Sequence, residues 1–237
     1  MIDLAKAANS KLVAMLERHP RIQEVEMDAK TNGVVFHQGS WVRSVVAGNS
    51  QLELRGLVEL MDNNPLVCAD SISVPDSAST LALIALGAVA LAVLITEPPS
   101  FVVNMHADEA CLTSYLKTIG WTEGITIHAE SQSGVSVAAA TVIASIDTPQ
   151  DWNEIDDLYE ERFSRSFFVR RDEESPWDSS LVEGRPFAVY RLGYTPGDAT
   201  SLLTIRVMAD IHGKCGEAQI IHALNVMVGY EESLGID

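Results

Sequence analysis

The spacing of apolar residues divides the first part of the chain into short elements. Apolar positions recur at helical spacing over residues 4–18 and predict a helix that ends before Pro20. Residues 22–27 alternate between apolar and polar side chains, which predicts a half-buried strand. Two apolar pieces flank the Gly39-Ser40 pair and predict strands joined by a turn, whereas residues 66–74 predict one further strand.

One segment is apolar throughout. Residues 81–95 carry no charge, and this run is shorter than the roughly 18 to 20 residues that cross a bilayer. Polar residues precede the segment and two prolines, Pro98 and Pro99, follow it. This pattern predicts a helix that is buried on all sides within a folded domain, and no membrane span.

The rest of the chain mixes helices with alternating strands. A helix over residues 108–119 ends at Gly120, and an acidic helix follows over residues 153–162. The last element is an amphipathic helix over residues 216–228 that ends at Gly229. Together with the strands this order predicts an α/β (α+β) fold, a mixed sheet backed by helices. The predicted strands are residues 101–105, 125–129, 135–146, 187–194 and 202–209.

Composition and charge exclude several classes of partner. The chain has 16 basic and 33 acidic residues, a formal charge of −17. Such a surface repels phosphate backbones and anionic lipid, so neither nucleic acid nor a membrane surface is expected as a partner. Three scattered cysteines suggest a reducing compartment, and no signal peptide is recognised, so a cytoplasmic location is expected.

The most informative segment is LTIRVMADIHGKCGEAQIIHALNVMVGYEESLGI, residues 203–236. It resembles the C-terminal, dimer-forming end of the N-acetyl-glutamyl-phosphate reductase and aspartate-semialdehyde dehydrogenase superfamily. Weaker similarity covers the strand at residues 133–146 and the helix and strand at residues 158–171. The positions that match the family pattern are Asp210, Lys214, Gln219, Leu224, Asn225, Met227, Gly229, Glu232, Gly235 and Ile236.

This resemblance implies an architecture and an assembly. It predicts a reduced N-terminal α/β segment over residues 1–65 and a semialdehyde-dehydrogenase-like domain over residues 66–237. The domain is expected to form a homodimer. Glycine, asparagine and glutamine at the matching positions also have purely structural uses, such as helix capping and close backbone approach, and both interpretations stay open.

The dinucleotide site of that family has no counterpart in the sequence. Such a site needs a glycine-rich turn between the first strand and its helix. The first glycine here is Gly33, Asn9 stands where the last glycine of the motif would be, and no strand is predicted before it. Only 76 residues precede Ser77, too few for a doubly wound domain, so standard NAD(P) binding is doubtful.

The resemblance also implies catalytic positions. The piece VPDSAST, residues 74–80, is similar to the segment that carries the family's nucleophilic cysteine, and Ser77 occupies that position. His128 lies one place out of register with the family's histidine, and Ser133 stands at an arginine position. Candidate catalytic residues are therefore Ser77, His128 and Gln219, with Lys214 as a candidate ligand for a small anionic metabolite. The alternative is that Ser77 or the residue before it only caps a helix.

Three functions remain open. The first is a divergent superfamily member without standard reductase activity that serves as a dimeric binding or assembly protein. The second is an active enzyme on an acyl-phosphate or semialdehyde substrate with altered residues. The third is a subunit that borrows a nucleotide domain from another chain. No metal site is predicted, because residues 106–111 suit a strand-to-helix junction capped by Asp108 better than a mixed His, Asp, Glu and Cys site.

Overall fold

The computed structural model describes residues 1–130 and 134–236. The predicted arginine-equivalent position, Ser133, lies outside these residues. The helices are α1 (Ser10–Glu17), α2 (Asn63–Cys68), α3 (Ser77–Leu91), α4 (Glu109–Leu116), α5 (Asn153–Phe163) and α6 (Glu217–Val228). The strands are β1 (Ile2–Ala7), β2 (Ile22–Met27), β3 (Gly33–Gln38), β4 (Trp41–Ala47), β5 (Ser71–Val74), β6 (Ser100–Val103), β7 (Thr126–Ala129), β8 (Val137–Asp147), β9 (Val169–Arg171), β10 (Ala188–Thr195) and β11 (Thr200–Asp210).

The chain divides into two compact units. The first unit contains Met1–Asp76 together with Gly216–Asp237, and the second contains Ser77–Cys215. These bounds differ from the division at residue 65 that the sequence suggested, because α6 packs on strands and helices of the first unit. Whether residues 66–237 form a separate domain stays a prediction.

The first unit is built on a five-stranded sheet in the order β2-β1-β3-β4-β5. Strands β1 and β2 run parallel and are joined through α1, whereas β3 and β4 form an antiparallel hairpin. The hairpin turn places Gly39 at a φ of 59°, a left-handed conformation that glycine adopts without strain. Helix α6 packs on β3, β4 and β5 and also contacts α1 and α2.

The prediction of a helix over residues 4–18 is wrong for its first third. Residues 2–7 form β1, which lies between β2 and β3 and hydrogen-bonds to both. The helix itself begins only at Ser10, because Asn9 caps it with its side chain. A central strand position buries Ile2, Ala5 and Ala7 completely, and this tertiary environment overrides the helical spacing of the segment.

The prediction of a strand over residues 66–74 is correct only for its end. Residues 63–68 form α2, and β5 covers residues 71–74. Pro65 does not prevent the helix because it stands in the first turn, where its missing N–H has no helical partner to lose. The residues before the predicted strand therefore begin this helix.

The second unit is built on a six-stranded sheet in the order β7-β6-β8-β11-β10-β9. Helix α3 packs on β8 and β11 and is joined on that face by α5 and α4. Every residue of α3 from 78 to 90 is buried, as the uncharged run predicted. The antiparallel β10–β11 pair and the α4 helix that ends near Gly120 also confirm the sequence analysis.

The opposite face of the six-stranded sheet is only partly covered. At one end Trp177, Leu181 and Val182 pack over Val189 and Met208. Toward the other end, apolar side chains of the sheet are exposed. There the exposed fractions are 41% for Val102, 41% for Ile143 and 46% for Leu202. We call the patch formed by these three residues the open face.

No helix within residues 1–130 and 134–236 combines the length and apolar character that crossing a bilayer would require.

Candidate functional site

The first candidate site is the N-terminus of α1, which follows β1 as the nucleotide-binding helix does in a βαβ unit. Asn9 occupies this end: its Oδ1 accepts from the backbone N–H of Leu12 at 2.9 Å. The Asn9 Nδ2 donates to Glu217 Oε1 at 3.1 Å. Glu217 begins α6 and is 8% exposed. A contact between the exposed Asn9 and the buried Glu217 therefore occupies the position.

This arrangement opposes anion binding. A pyrophosphate at a helix N-terminus is held by free backbone N–H groups and by the positive end of the helix dipole. Here one N–H is already taken by Asn9, and the Glu217 carboxylate lies against the cap. The strand that the sequence analysis considered absent is present as β1, so that statement is corrected. The glycine-rich turn is still lacking, because only Ala8 and Asn9 join β1 to α1.

The second candidate site is the N-terminus of α3, where Ser77 is the first helical residue. The Ser77 Oγ donates to the carbonyl oxygen of Cys215 at 3.0 Å. In return the Cys215 thiol donates to the carbonyl oxygen of Ser77, with Sγ and O 3.7 Å apart. The two residues therefore hold each other through both side chains.

This geometry does not activate Ser77 as a nucleophile. A serine hydroxyl needs a neighbouring base that takes its proton, but the Ser77 proton is directed at a backbone carbonyl. The capping role that the sequence suggested for Ser77 or the residue before it stays a prediction. In the structure the Ser77 hydroxyl holds the segment that carries Cys215 against the start of α3.

Gln219 also has a structural contact. Its Nε2 donates to the carbonyl oxygen of Pro75 at 3.0 Å, and the residue is 1% exposed. The bond holds α6 to the end of the segment that follows β5. A catalytic role for Gln219 stays a prediction.

His128 lies away from Ser77 within the second unit. It stands on β7 in register with Val102, which places its side chain on the open face of the sheet. Ser77 begins α3, and this helix packs on the other face. The structure therefore does not bring Ser77 and His128 together, and their joint catalytic role stays a prediction without geometric support.

Lys214, the candidate ligand for an anionic metabolite, is fully buried. Its Nζ lies 5.4 Å from the centroid of the Phe168 ring, within the range of a cation–π contact. The ammonium group is thus directed into the protein and not to solvent. Its role as a metabolite ligand also stays a prediction.

Asp210, which matches the family pattern, has a structural role in the turn after β11. Its Oδ1 accepts from the backbone N–H groups of His212 at 2.8 Å and Gly213 at 3.1 Å. Its Oδ2 accepts from the N–H of Gly184 at 2.7 Å. The carboxylate therefore shapes the turn that leads from β11 to Cys215.

The junction at residues 106–111 has the capping structure that the sequence predicted. Asp108 Oδ1 accepts from the backbone N–H of Cys111 at 2.7 Å and caps α4. Among residues 1–130 and 134–236, no group of three or more His, Cys, Asp or Glu side chains is arranged to hold a metal ion.

Sequence reasoning missed two participants in these sites, Cys215 and Glu217. Cys215 is 138 residues from Ser77 in the chain, and Glu217 is 208 residues from Asn9. No local pattern signals a contact over such a separation. One feature of the sequence could have pointed to them. Both residues lie inside the 203–236 segment that resembles the family, close in sequence to Lys214 and Gln219.

Comparison with known proteins supports the fold and not an activity. No family model and no curated protein matches the sequence. A crystal structure of aspartate semialdehyde dehydrogenase II from Vibrio cholerae matches with a TM-score of 0.67 and 9% identity, over 97% of this chain and 99% of that one. A second, complexed with ASA, matches with a TM-score of 0.63 and 9% identity, over 97% and 98%. The chain therefore has a semialdehyde-dehydrogenase-like fold with two mixed sheets backed by helices, as predicted.

Proposed function

We propose that this chain is a divergent protein of the semialdehyde-dehydrogenase fold that lacks standard NAD(P)-dependent reductase activity. It acts as a dimeric binding or assembly protein. The fold likeness gives the architecture, and the local chemistry of the two candidate sites argues against the usual reaction.

The contact between Asn9 and Glu217 carries the proposal. It closes the N-terminus of α1 with an amide and adds a carboxylate where a dinucleotide would place its pyrophosphate. The Glu217 side chain is buried, so water screens its charge poorly and the carboxylate repels a pyrophosphate placed beside it. Ser77 stands where the family has a nucleophilic cysteine, and its hydroxyl donates to a backbone carbonyl oxygen. This substitution also supports the loss of the standard reaction.

Calorimetric titration with NADP and with NADPH tests the proposal. We expect no binding heat for the wild-type chain at millimolar nucleotide, because the site of the pyrophosphate is occupied. The Glu217→Gln variant keeps a partner for Asn9 but removes the charge, so binding gained only there would identify the carboxylate as the barrier. Micromolar binding of NADPH to the wild type would contradict the proposal.

The open face supports the dimeric part of the proposal. Val102 pairs with Thr141, Ile143 with Thr204, and Leu202 with Ser145, which places the three apolar side chains on one side of neighbouring strands. Apolar side chains clustered on a sheet face that lacks a covering layer are typical of a protein interface. A second copy of this chain is the partner that we propose.

One observation favours the alternative, an enzyme acting on an acyl-phosphate or semialdehyde. Cys215 contacts the first residue of α3, a helix of 15 residues. The positive end of a helix dipole lowers the pKa of a nearby thiol and raises the fraction of reactive thiolate. Cys215 lies beside Ser77 and is therefore the thiol that this alternative would use.

Alkylation of the three cysteines separates these functions. For a binding protein we expect iodoacetamide to modify the exposed Cys68 first and the buried Cys215 last, as their exposure dictates. The half-exposed Cys111 serves as the internal reference. Peptide mass spectrometry over a time course gives the three rates. Modification of Cys215 ahead of Cys68 would favour the enzyme.

A further inference from the structure

A cavity of about 430 Å³ lies at the C-terminal end of α3, within the second unit. The end of α3 and the chain that follows it form one side, and residues 118–123 form the other. Its volume falls in the range of sites for small organic ligands. Because α3 has 15 residues, the cavity is about 20 Å from Ser77 along the helix axis and is separate from the sites described above.

The walls of the cavity are largely apolar. They include Ala90, Leu91, Ile95, Ile119 and Trp121. Leu91 is 36% exposed although the preceding turns of α3 are fully buried, so the cavity uncovers the end of an otherwise buried helix. The indole of Trp121 is held in place because its Nε1 donates to the carbonyl oxygen of Gly124 at 3.3 Å. This surface favours the hydrocarbon part of a ligand.

The charge around the cavity favours a cation. Among the described residues that line it, Glu123 carries the only charge, and Thr118 and Thr122 are neutral. The C-terminal end of α3 adds partial negative charge, and the chain as a whole carries −17. The face of a tryptophan ring is the strongest aromatic partner for an ammonium group. A carboxylate or phosphate ligand would be repelled by Glu123, by the C-terminal end of α3 and by the negative charge of the chain.

A strained residue stands at the rim. Val93 has a φ of 58° and is the only non-glycine residue with positive φ in residues 1–130 and 134–236. This conformation is costly for a β-branched side chain. Val93 is also 84% exposed, so burial of its side chain does not compensate for the strain. The positive φ belongs to the ending of α3, where the N–H of Val93 donates to the carbonyl oxygen of Ala90 and the N–H of Leu94 to that of Val89, each at 3.0 Å. This ending turns the chain away from the helix and leaves the end of α3 open to the cavity.

We propose that this cavity binds a small alkylammonium compound. The hydrocarbon chain lies against Leu91, Ile95 and Ile119, and the ammonium group lies between the Trp121 ring and the Glu123 carboxylate. This cationic ligand is distinct from the anionic metabolite that the sequence suggested near Lys214, and the inference does not depend on the dimeric role proposed above.

The test uses the whole chain labelled with 5-fluorotryptophan, and ¹⁹F spectra follow its four tryptophans. The Trp121→Leu variant assigns the Trp121 signal. The probes are hexylammonium, hexan-1-ol and hexanoate, which share one hydrocarbon chain. We expect hexylammonium to move the Trp121 signal in a saturable manner, with hexan-1-ol weaker and hexanoate without effect.

Two matched variants identify the role of the charge. We expect Glu123→Gln to weaken hexylammonium binding about three- to ten-fold and to leave hexan-1-ol unchanged. The control is Glu174→Gln, since Glu174 is exposed and does not line the cavity, and this variant should bind hexylammonium like the wild type. The proposal is wrong if hexan-1-ol or hexanoate binds as tightly as hexylammonium, or if Glu123→Gln changes nothing. It is also wrong if the Trp121 signal shifts with protein concentration alone, because a second copy would then occupy the cavity.

Discussion

Among residues 1–130 and 134–236, Arg43 is the largest of the fully buried side chains, and its hydrogen bonds there all go to backbone carbonyl oxygens. Its guanidinium donates to the carbonyl oxygens of Leu66, Val67 and Ala69 at the end of α2. It also donates to the carbonyl oxygen of Met227 in the last turn of α6 at 2.6 Å. Burial lowers the pKa of Arg43 below its ordinary value, and nearby negative charge opposes this shift. One cation therefore satisfies the C-terminal carbonyl groups of two helices, where the helix dipoles favour positive charge.

Replacing Arg43 by methionine should destabilise the protein strongly. The change leaves several buried carbonyl groups without a donor, and we expect a loss of about 3–4 kcal/mol in the free energy of unfolding. Urea unfolding followed by circular dichroism measures this loss. The control is Arg18→Met, because the exposed Arg18 makes one bond to its own helix. Equal stability of the two variants would show that the Arg43 contacts are dispensable.

At the scale of elements, the sequence predicted best where a strong pattern ends at a turn or cap. The buried α3, the β10–β11 pair and α6 with Gly229 as its C-cap were all predicted close to their observed bounds. The failures concern β1 and α2, whose residues have ambiguous spacing. For β1 the central place in a sheet decided the outcome, and this is a long-range property that local spacing does not contain.

The C-terminal tail is an element fixed by side chains. Asn225 Nδ2 donates to the carbonyl oxygens of Glu232 and Leu234, and Asn225 Oδ1 lies 3.0 Å from Nε2 of His19. Gly235 packs against the same imidazole, since an added Cβ there would lie 2.5 Å from its Cδ2. The tail is therefore anchored on His19 and Asn225.

The His19 contact predicts a pH dependence of stability. Burial lowers the pKa of His19 below its ordinary value of 6.5, while the bond to Asn225 opposes the shift. A lowered pKa in the folded state means that the unfolded chain binds the proton more readily, so this stability is present above pH 6.5 and is lost as the pH falls below it. We expect urea unfolding at pH 8 and pH 5.5 to show a smaller pH effect in His19→Gln than in the wild type. The exposed His106→Gln is the control, and the same pH effect in all three proteins would contradict the prediction.

At the scale of the whole molecule, the open face gives the sharpest prediction about assembly. We expect the wild type to be a dimer by light scattering after size-exclusion chromatography. The double variant Ile143→Asp with Leu202→Asp should be a monomer with unchanged circular dichroism, because charge on both strands opposes burial of the face. The control is Met27→Asp, at an exposed position of the edge strand β2. A monomeric wild type, or a double variant that stays dimeric, would reject this face as the interface.

The sequence alone determined the α/β class, the buried helix, the antiparallel pair and the departures from a glycine-rich nucleotide turn. These are properties of local spacing and residue type, so they need no knowledge of distant contacts. Only the tertiary structure decided that β1 precedes α1, that Glu217 meets Asn9 and that Cys215 meets Ser77. It also decided that His128 lies on the other face of the sheet from α3. Each of these facts depends on residues far apart in the chain, which packing and strand register bring together or hold apart.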